Sequence, residues 1–300
     1  MSNTPPRGEF SRLATDTIDE SFNSFRLTAE ASDGTVVSAM STYQIPSEAM
    51  FNPFGSGKAS GPELQAELNR RIAADQERGI DPGIVDSESL RLAITRLGLG
   101  VDCSNFAART LGLICGKIGK DYTDHVFYSG QELQRLHEAK PASWSARNPD
   151  GSPREFTAEE HAILEEDRVA VSWIARVLGK DPPFITNARR IADTTVNREL
   201  DHEEVAPGDL VAFTKSDSEV VSHVGVIDTV RISNLGIQTI GFCHSWSTRR
   251  FADNGPKYDK VHIYPKTQRH EWSDNGLVDR NRYSGHLFMR PRAFEQSTLS

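Results

Sequence analysis

The chain is 300 residues long with a formal net charge of −8, which is long enough for one substantial core or two modest domains. Hydrophobic residues make up 37%, with 22 Gly and 15 Pro, the make-up of a globular protein with many turns. The acidic balance argues against nucleic acid or an anionic membrane surface as partner, because both recruit a basic face. Three cysteines, an odd number without a CxxC pair, argue against a disulfide framework and against a structural zinc site.

Residues 1–21, with Pro5, Pro6, Arg7, Glu9, Asp16, Asp19 and Glu20, are expected as a loosely ordered arm without the apolar core of a Sec signal. No stretch approaches a membrane-spanning length of apolar residues. The expectation is synthesis in the cytoplasm, with any cell-surface target reached by a non-Sec route such as phage lysis or specialised secretion. From Phe25 to Ile45, alternating residues flank Asp33-Gly34 and predict a β-hairpin. Residues 51–61, with Pro53, Gly55, Gly57 and Gly61, read as a linker, so a soft boundary divides an N-terminal arm and hairpin (1–60) from the remainder (61–300).

Pro62 opens a helix carrying Leu64, Leu68 and Ile72 on one stripe and ending near Gly79. A second follows Asp86-Ser87 with Leu90, Ala93, Ile94 and Leu97 at helical spacing. Gly98 and Gly100 turn the chain into Val101-Asp102-Cys103-Ser104-Asn105-Phe106, where a third helix begins, expected to fade between Gly112 and Gly116. Residues 120–153 are weakly patterned apart from a helical piece near 131–137. Thr157 and Glu160 then form a capping-box pair for an apolar helix through Leu178. After residue 200 the texture changes to strands: 205–213, 222–230, 236–244, 261–264 and 285–290. Helices followed by strands predict an α+β fold with an antiparallel sheet.

Cys103 is the residue around which chemistry can be organised. In the first turn of a helix it feels the positive end of the macrodipole, which favours thiolate, and the same N–H groups can receive an oxyanion. The competing possibility is a small buried hydrophobe, so a partner base decides the matter. Of nine histidines, His125, His137, His161 and His202 sit in polar surroundings, and His262, His270 and His286 read as structural. His223 and His244 are linked by the hairpin between them. With a turn near Ser233–Leu235, antiparallel partner numbers total about 466–470, placing the two nearly opposite on one face. One imidazole can then orient the other, as the third member of a Cys-His-X triad does. Cys243 points to the opposite face, into core.

Asp102-Cys103-Ser104, Pro207-Gly208-Asp209-Leu210-Val211-Ala212-Phe213, Ser222-His223-Val224-Gly225-Val226-Ile227 and His244 together resemble the ordered motifs of NlpC/P60 cysteine peptidases. The resemblance covers roughly 85–115 and 205–250. It implies a papain-like core, a nucleophile helix packed on a small antiparallel sheet, with Cys103 as nucleophile, His223 as general base and His244 as the orienting residue. Asp102 and Ser104 stand where some relatives hold the substrate's free amine. Asn105 replaces the usual glycine, and Ala212 a common bulky residue. The separation of 120 positions from Cys103 to His223 exceeds the compact domain and implies a helical insertion at about 120–200 that could cap or gate the cleft.

The implied activity is hydrolysis of amide bonds in peptidoglycan stem or cross-bridge peptides through an acyl-enzyme, with no metal or organic cofactor. Two alternatives stand beside it: an intracellular amidase or acyltransferase of the same fold acting on another substrate, and a non-catalytic binding module. Intact Cys103, His223 and His244 disfavour the last.

Overall fold

A computed structural model describes residues 7–43, 57, 59–120, 188–194, 196–215, 220–246, 254–264, 267, 269–272 and 283–295. The expected helices near 131–137 and 157–178, most of the insertion, and His125, His137 and His161 lie outside the described residues.

The N-terminal residues depart from the expected loose arm. Arg7–Ser24 forms helix α1, because Phe10, Ala14 and Ile18 recur every four residues and, with Thr17 and Ser21, face the interior. Ser21 and Thr110 share a 2.7 Å hydroxyl hydrogen bond, and the Phe10 and Phe294 rings lie 5.0 Å apart. This narrow stripe on a polar helix gives little sequence signal, yet it joins both ends of the chain to the central core.

The hairpin forms as predicted, β1 (Arg26–Glu30) with β2 (Val36–Met40) in the register Arg26↔Met40 to Glu30↔Val36. The Asp33 carboxylate accepts the Thr35 N–H at 2.9 Å, and Gly34 supplies the positive φ of the turn. Helix α2 (Gly61–Glu77) opens on a Ser60–Glu63 capping box with Pro62 in its first turn. Helix α3 (Ser87–Arg96) is capped by Asp86. Helix α4 (Cys103–Lys117) passes through Gly112 and Gly116, where it was expected to fade. Phe106, Ala107, Leu111, Ile114 and Cys115 bury a continuous face that holds those glycines in the helix.

After helix α5 (Ala188–Ile191) the chain enters β3 (Asn197–Leu200), β4 (Leu210–Lys215), β5 (Val221–Ile232), β6 (Gln238–Trp246), β7 (Gly255–Tyr264), β8 (Arg269–Trp272) and β9 (Tyr283–Pro291), and short helix α6 (Arg292–Glu295) follows. Among the described residues these seven strands form one antiparallel sheet in the order β3-β9-β4-β5-β6-β7-β8. The α+β layout is as expected.

Strand alternation divides the core in two. Leu210, Ala212, Val224, Val226, Cys243 and Met289 cluster with α1–α4 and the hairpin. Val211, Phe213, Ile227, Phe242, Trp246 and Phe288 make a second cluster on the other face. The sheet curls around that second face, since His270 on β8 reaches His286 on β9 at 2.8 Å although four strands separate theirs in the order. A buried fork ties the sheet to the turn before β4: Arg290 donates to both Asp209 carboxylate oxygens at 2.9 and 2.8 Å, and to the Glu204 carbonyl at 2.7 Å.

Candidate active site

Cys103 is the first residue of α4 and is buried. Asp102 caps the helix from extended backbone, its carboxylate accepting the Asn105 N–H at 2.7 Å and the Ser104 hydroxyl at 2.8 Å. Asp102 and Ser104, singled out in sequence as amine-binding residues, thus bond to each other at the helix start, with relative exposures of 6% and 3%. Asn105, in the place usually held by glycine, has a structural explanation. Its amide donates to the Ala59 carbonyl at 2.9 Å, and its oxygen accepts from Arg109 Nε at 3.0 Å.

The segment before α4 is held from several sides. The Val101 N–H donates to the Thr42 carbonyl at 2.9 Å and the Asp102 N–H to Gly57 at 3.0 Å. Ser245 Oγ donates to the Val101 carbonyl at 2.6 Å in a fully buried contact. That bond places the backbone two residues before Cys103 against the β6 residue that follows His244. The loop that leads into Cys103 is therefore seated at the end of β6 that carries a histidine.

His223 and His244 are both buried, at 2% and 1% exposure, and His223 Nε2 lies 2.7 Å from His244 Nδ1. Their geometry differs in one respect from the expectation of nearly opposed residues. Val226 pairs with Cys243 and Ile227 with Phe242, and a bulge before Thr229 shifts the register by one toward the turn. Continued from Val226 toward the strand start, this register sets His244 opposite Gly225, so the histidines are diagonal neighbours on one face. Gly225 makes the diagonal contact possible. A Cβ there would lie 2.9 Å from Phe242 Cδ2 and 3.2 Å from both His244 Cβ and the Cys243 carbonyl oxygen. Around the pair, Phe213 lies 5.4 Å and Trp246 4.3 Å from the His223 ring, centroid to centroid, the latter edge-on.

Burial holds the His244 imidazole well below its ordinary pKa, and the Lys257 cation opposite it in the β6–β7 register adds to the shift. His244 is therefore neutral at physiological pH. Cys243 faces the helices, as expected, and burial with the nearby Asp228 and Asp19 carboxylates pushes its thiol well up. A thiol held in its protonated form is a poor nucleophile.

Sequence reasoning missed Asp259. Its Oδ2 lies 3.9 Å from His244 Nε2, and the side chain is 2% exposed. Only the β6–β7 register reveals it, since Asp259 pairs with Phe242. The histidines read as structural have partners of that kind: His262 Nδ1 lies 2.9 Å from Thr239 Oγ1, and His270 meets His286. Among the described residues no group of three His, Cys, Asp or Glu side chains is arranged to hold a metal ion. No helix among them is long and apolar enough to cross a membrane. In comparisons with protein-family models, curated proteins and solved structures, the chain matches none.

Proposed function

We propose that the chain is a cysteine hydrolase that cleaves amide bonds in peptidoglycan stem or cross-bridge peptides, with Cys103, His223 and His244 as its triad on a papain-like NlpC/P60 core. The observation that carries this is the 2.7 Å contact between His223 Nε2 and His244 Nδ1. It commits one nitrogen of His223 to an orienting partner and leaves Nδ1 as the nitrogen for proton exchange with a thiol. The seating of the Cys103 loop on β6 through Ser245 supports the same assignment. The substrate class comes from the resemblance of the motifs around Cys103, Asp209, His223 and His244 to that family.

His223 Nδ1 takes the Cys103 proton, and the thiolate, stabilised by the α4 dipole, attacks the scissile carbonyl. The Cys103 N–H donates to the tetrahedral oxyanion. The His223 imidazolium returns its proton to the leaving amine as the C–N bond breaks, leaving a thioester. Water, deprotonated by His223, then releases the acid and restores the thiol. Asp102 and Ser104, already joined at the helix start, meet the free amine of the stem peptide in this scheme.

Mass spectrometry of muropeptides digested with wild type and with Cys103→Ala tests the assignment. New fragments should appear with wild type alone. Identical fragment sets would remove the peptidoglycan assignment and redirect attention to an intracellular amide or ester.

A further inference from the structure

We propose that Asp259 is a positioning residue: its carboxylate fixes the tautomer of His244 and, through His244, that of His223, so that His223 Nδ1 is left able to accept the thiol proton. The proposal rests on the assignment of Cys103, His223 and His244 given above and adds a fourth member to that line.

Only one proton occupies the 2.7 Å contact between His223 Nε2 and His244 Nδ1, and it has two possible owners. If His244 owns it, His223 carries its own proton on Nδ1 and cannot take one from Cys103. If His223 owns it, Nδ1 of His223 presents a lone pair, and the neutral His244 carries its proton on Nε2. The choice is therefore made at His244 Nε2, a buried nitrogen without a hydrogen bond among the described residues. Asp259 Oδ2 stands 3.9 Å from it, with both side chains almost wholly removed from solvent. At that distance the contact is a charge facing a dipole, not a hydrogen bond. An N–H dipole pointing at a carboxylate is attractive and a lone pair repulsive, and low dielectric enlarges the difference. The carboxylate is itself oriented, since Asp259 Oδ1 accepts the Lys260 N–H at 2.9 Å.

Strand register builds this line. His244 sits opposite Lys257, and Asp259 opposite Phe242, so Asp259 is the diagonal neighbour of His244 on β7, just as His223 is on β5. Among the described residues of the two flanking strands, the titratable groups facing His244 are thus His223 from β5 and Lys257 and Asp259 from β7. Lys257 opposes an imidazolium at His244, so the second histidine relays orientation without taking up the proton. An Asp259 charge also favours the imidazolium that forms at His223, one ring further along.

Nitrogen-15 histidine spectra of the wild-type chain at neutral pH, assigned with His223→Gln and His244→Gln, read the tautomers directly. The proposal predicts a protonated Nε2 and a bare Nδ1 on His244; a proton on His244 Nδ1 overturns it. The second arm is the pH profile of Cys103 alkylation by iodoacetamide in Asp259→Asn and Asp259→Glu. Asn should slow labelling at pH 6 by about tenfold, as expected for removal of one nearby charge, and Glu should restore part of the rate. A profile in Asn that coincides with wild type overturns the proposal, even if the melting temperature falls. His223→Ala in the same assay separates this outcome from failure of the triad itself. Labelling indifferent to His223 would remove the triad, while the tautomer spectra would still decide what Asp259 fixes.

Discussion

Gly225→Ala is the smallest change that reaches the histidine pair. Its methyl group would meet Phe242 Cδ2 at 2.9 Å, the Cys243 carbonyl oxygen at 3.2 Å and His244 Cβ at 3.2 Å. The aromatic ring has some freedom, but the carbonyl belongs to a strand paired on both sides and has none. Overpacking of this kind costs about 1–3 kcal/mol, while alanine recovers about 0.4–1 kcal/mol by restricting the unfolded chain. The net is a loss of about 1–2 kcal/mol, a fall in Tm of about 2–6 °C for a chain of this size. Gly112→Ala on α4 provides the contrast, because its methyl group would meet nothing within 4 Å. In a helix interior that exchange gains about 0.5–1 kcal/mol. Thermal melts followed by far-UV circular dichroism should therefore move in opposite directions, and Cys103 alkylation should slow only in the Gly225 variant. A Gly225→Ala chain that melts at or above wild type, with unchanged Cys103 labelling, would refute the diagonal packing.

Three further outcomes follow from other parts of the structure. Arg290→Met leaves the Asp209 carboxylate buried without its fork, which should cost about 3–5 kcal/mol in urea denaturation; a loss below about 1 kcal/mol would show the fork to be dispensable. Ser245→Ala removes the 2.6 Å bond to the Val101 carbonyl; it should cost about 1–3 kcal/mol and slow alkylation of Cys103 but not Cys115, and equal labelling in wild type and variant would contradict the seating of the loop. His286 titrates at about 4 in the fold, pushed down by burial and by His270, against 6.5 ordinarily. Below pH 6.5 the unfolded chain takes up a proton that the folded His286 refuses, so stability is level above 6.5 and falls between 6.5 and 4. The loss is about 3 kcal/mol. Chemical denaturation across that window should show a shallower fall in His286→Gln, and identical curves would contradict it.

Local structure was legible where a side chain acts on its own neighbourhood. Asp33-Gly34 specified the hairpin turn, while Pro62 and Asp86 marked two helix starts, because each acts within three residues of itself. The shared face of His223 and His244 was also legible, since period-two alternation survives a small register error. The error itself came from the turn, which closes between Ser233 and Ile237 and so sets partner numbers that total 470 beside it; the bulge before Thr229 takes back only one of the extra positions. Helix α1 was not legible: its buried stripe is Phe10, Ala14 and Ile18, and its meaning depends on surfaces supplied by Thr110 and Phe294 far along the chain. Asp209 and Arg290, and His244 and Asp259, were hidden for the same reason. A charged residue in a strand looks like a solvated one until the sheet order says what lies beside it.

The central claim is that His223, oriented by His244, activates Cys103. Site-resolved iodoacetamide labelling at pH 6, in wild type and His223→Ala, tests it most directly, with the three cysteines quantified separately by mass spectrometry. Cys103 should label first in wild type and Cys243 last, and His223→Ala should remove the Cys103 advantage. Equal rates at Cys103, Cys115 and Cys243, or a Cys103 rate unchanged by loss of His223, would contradict the claim.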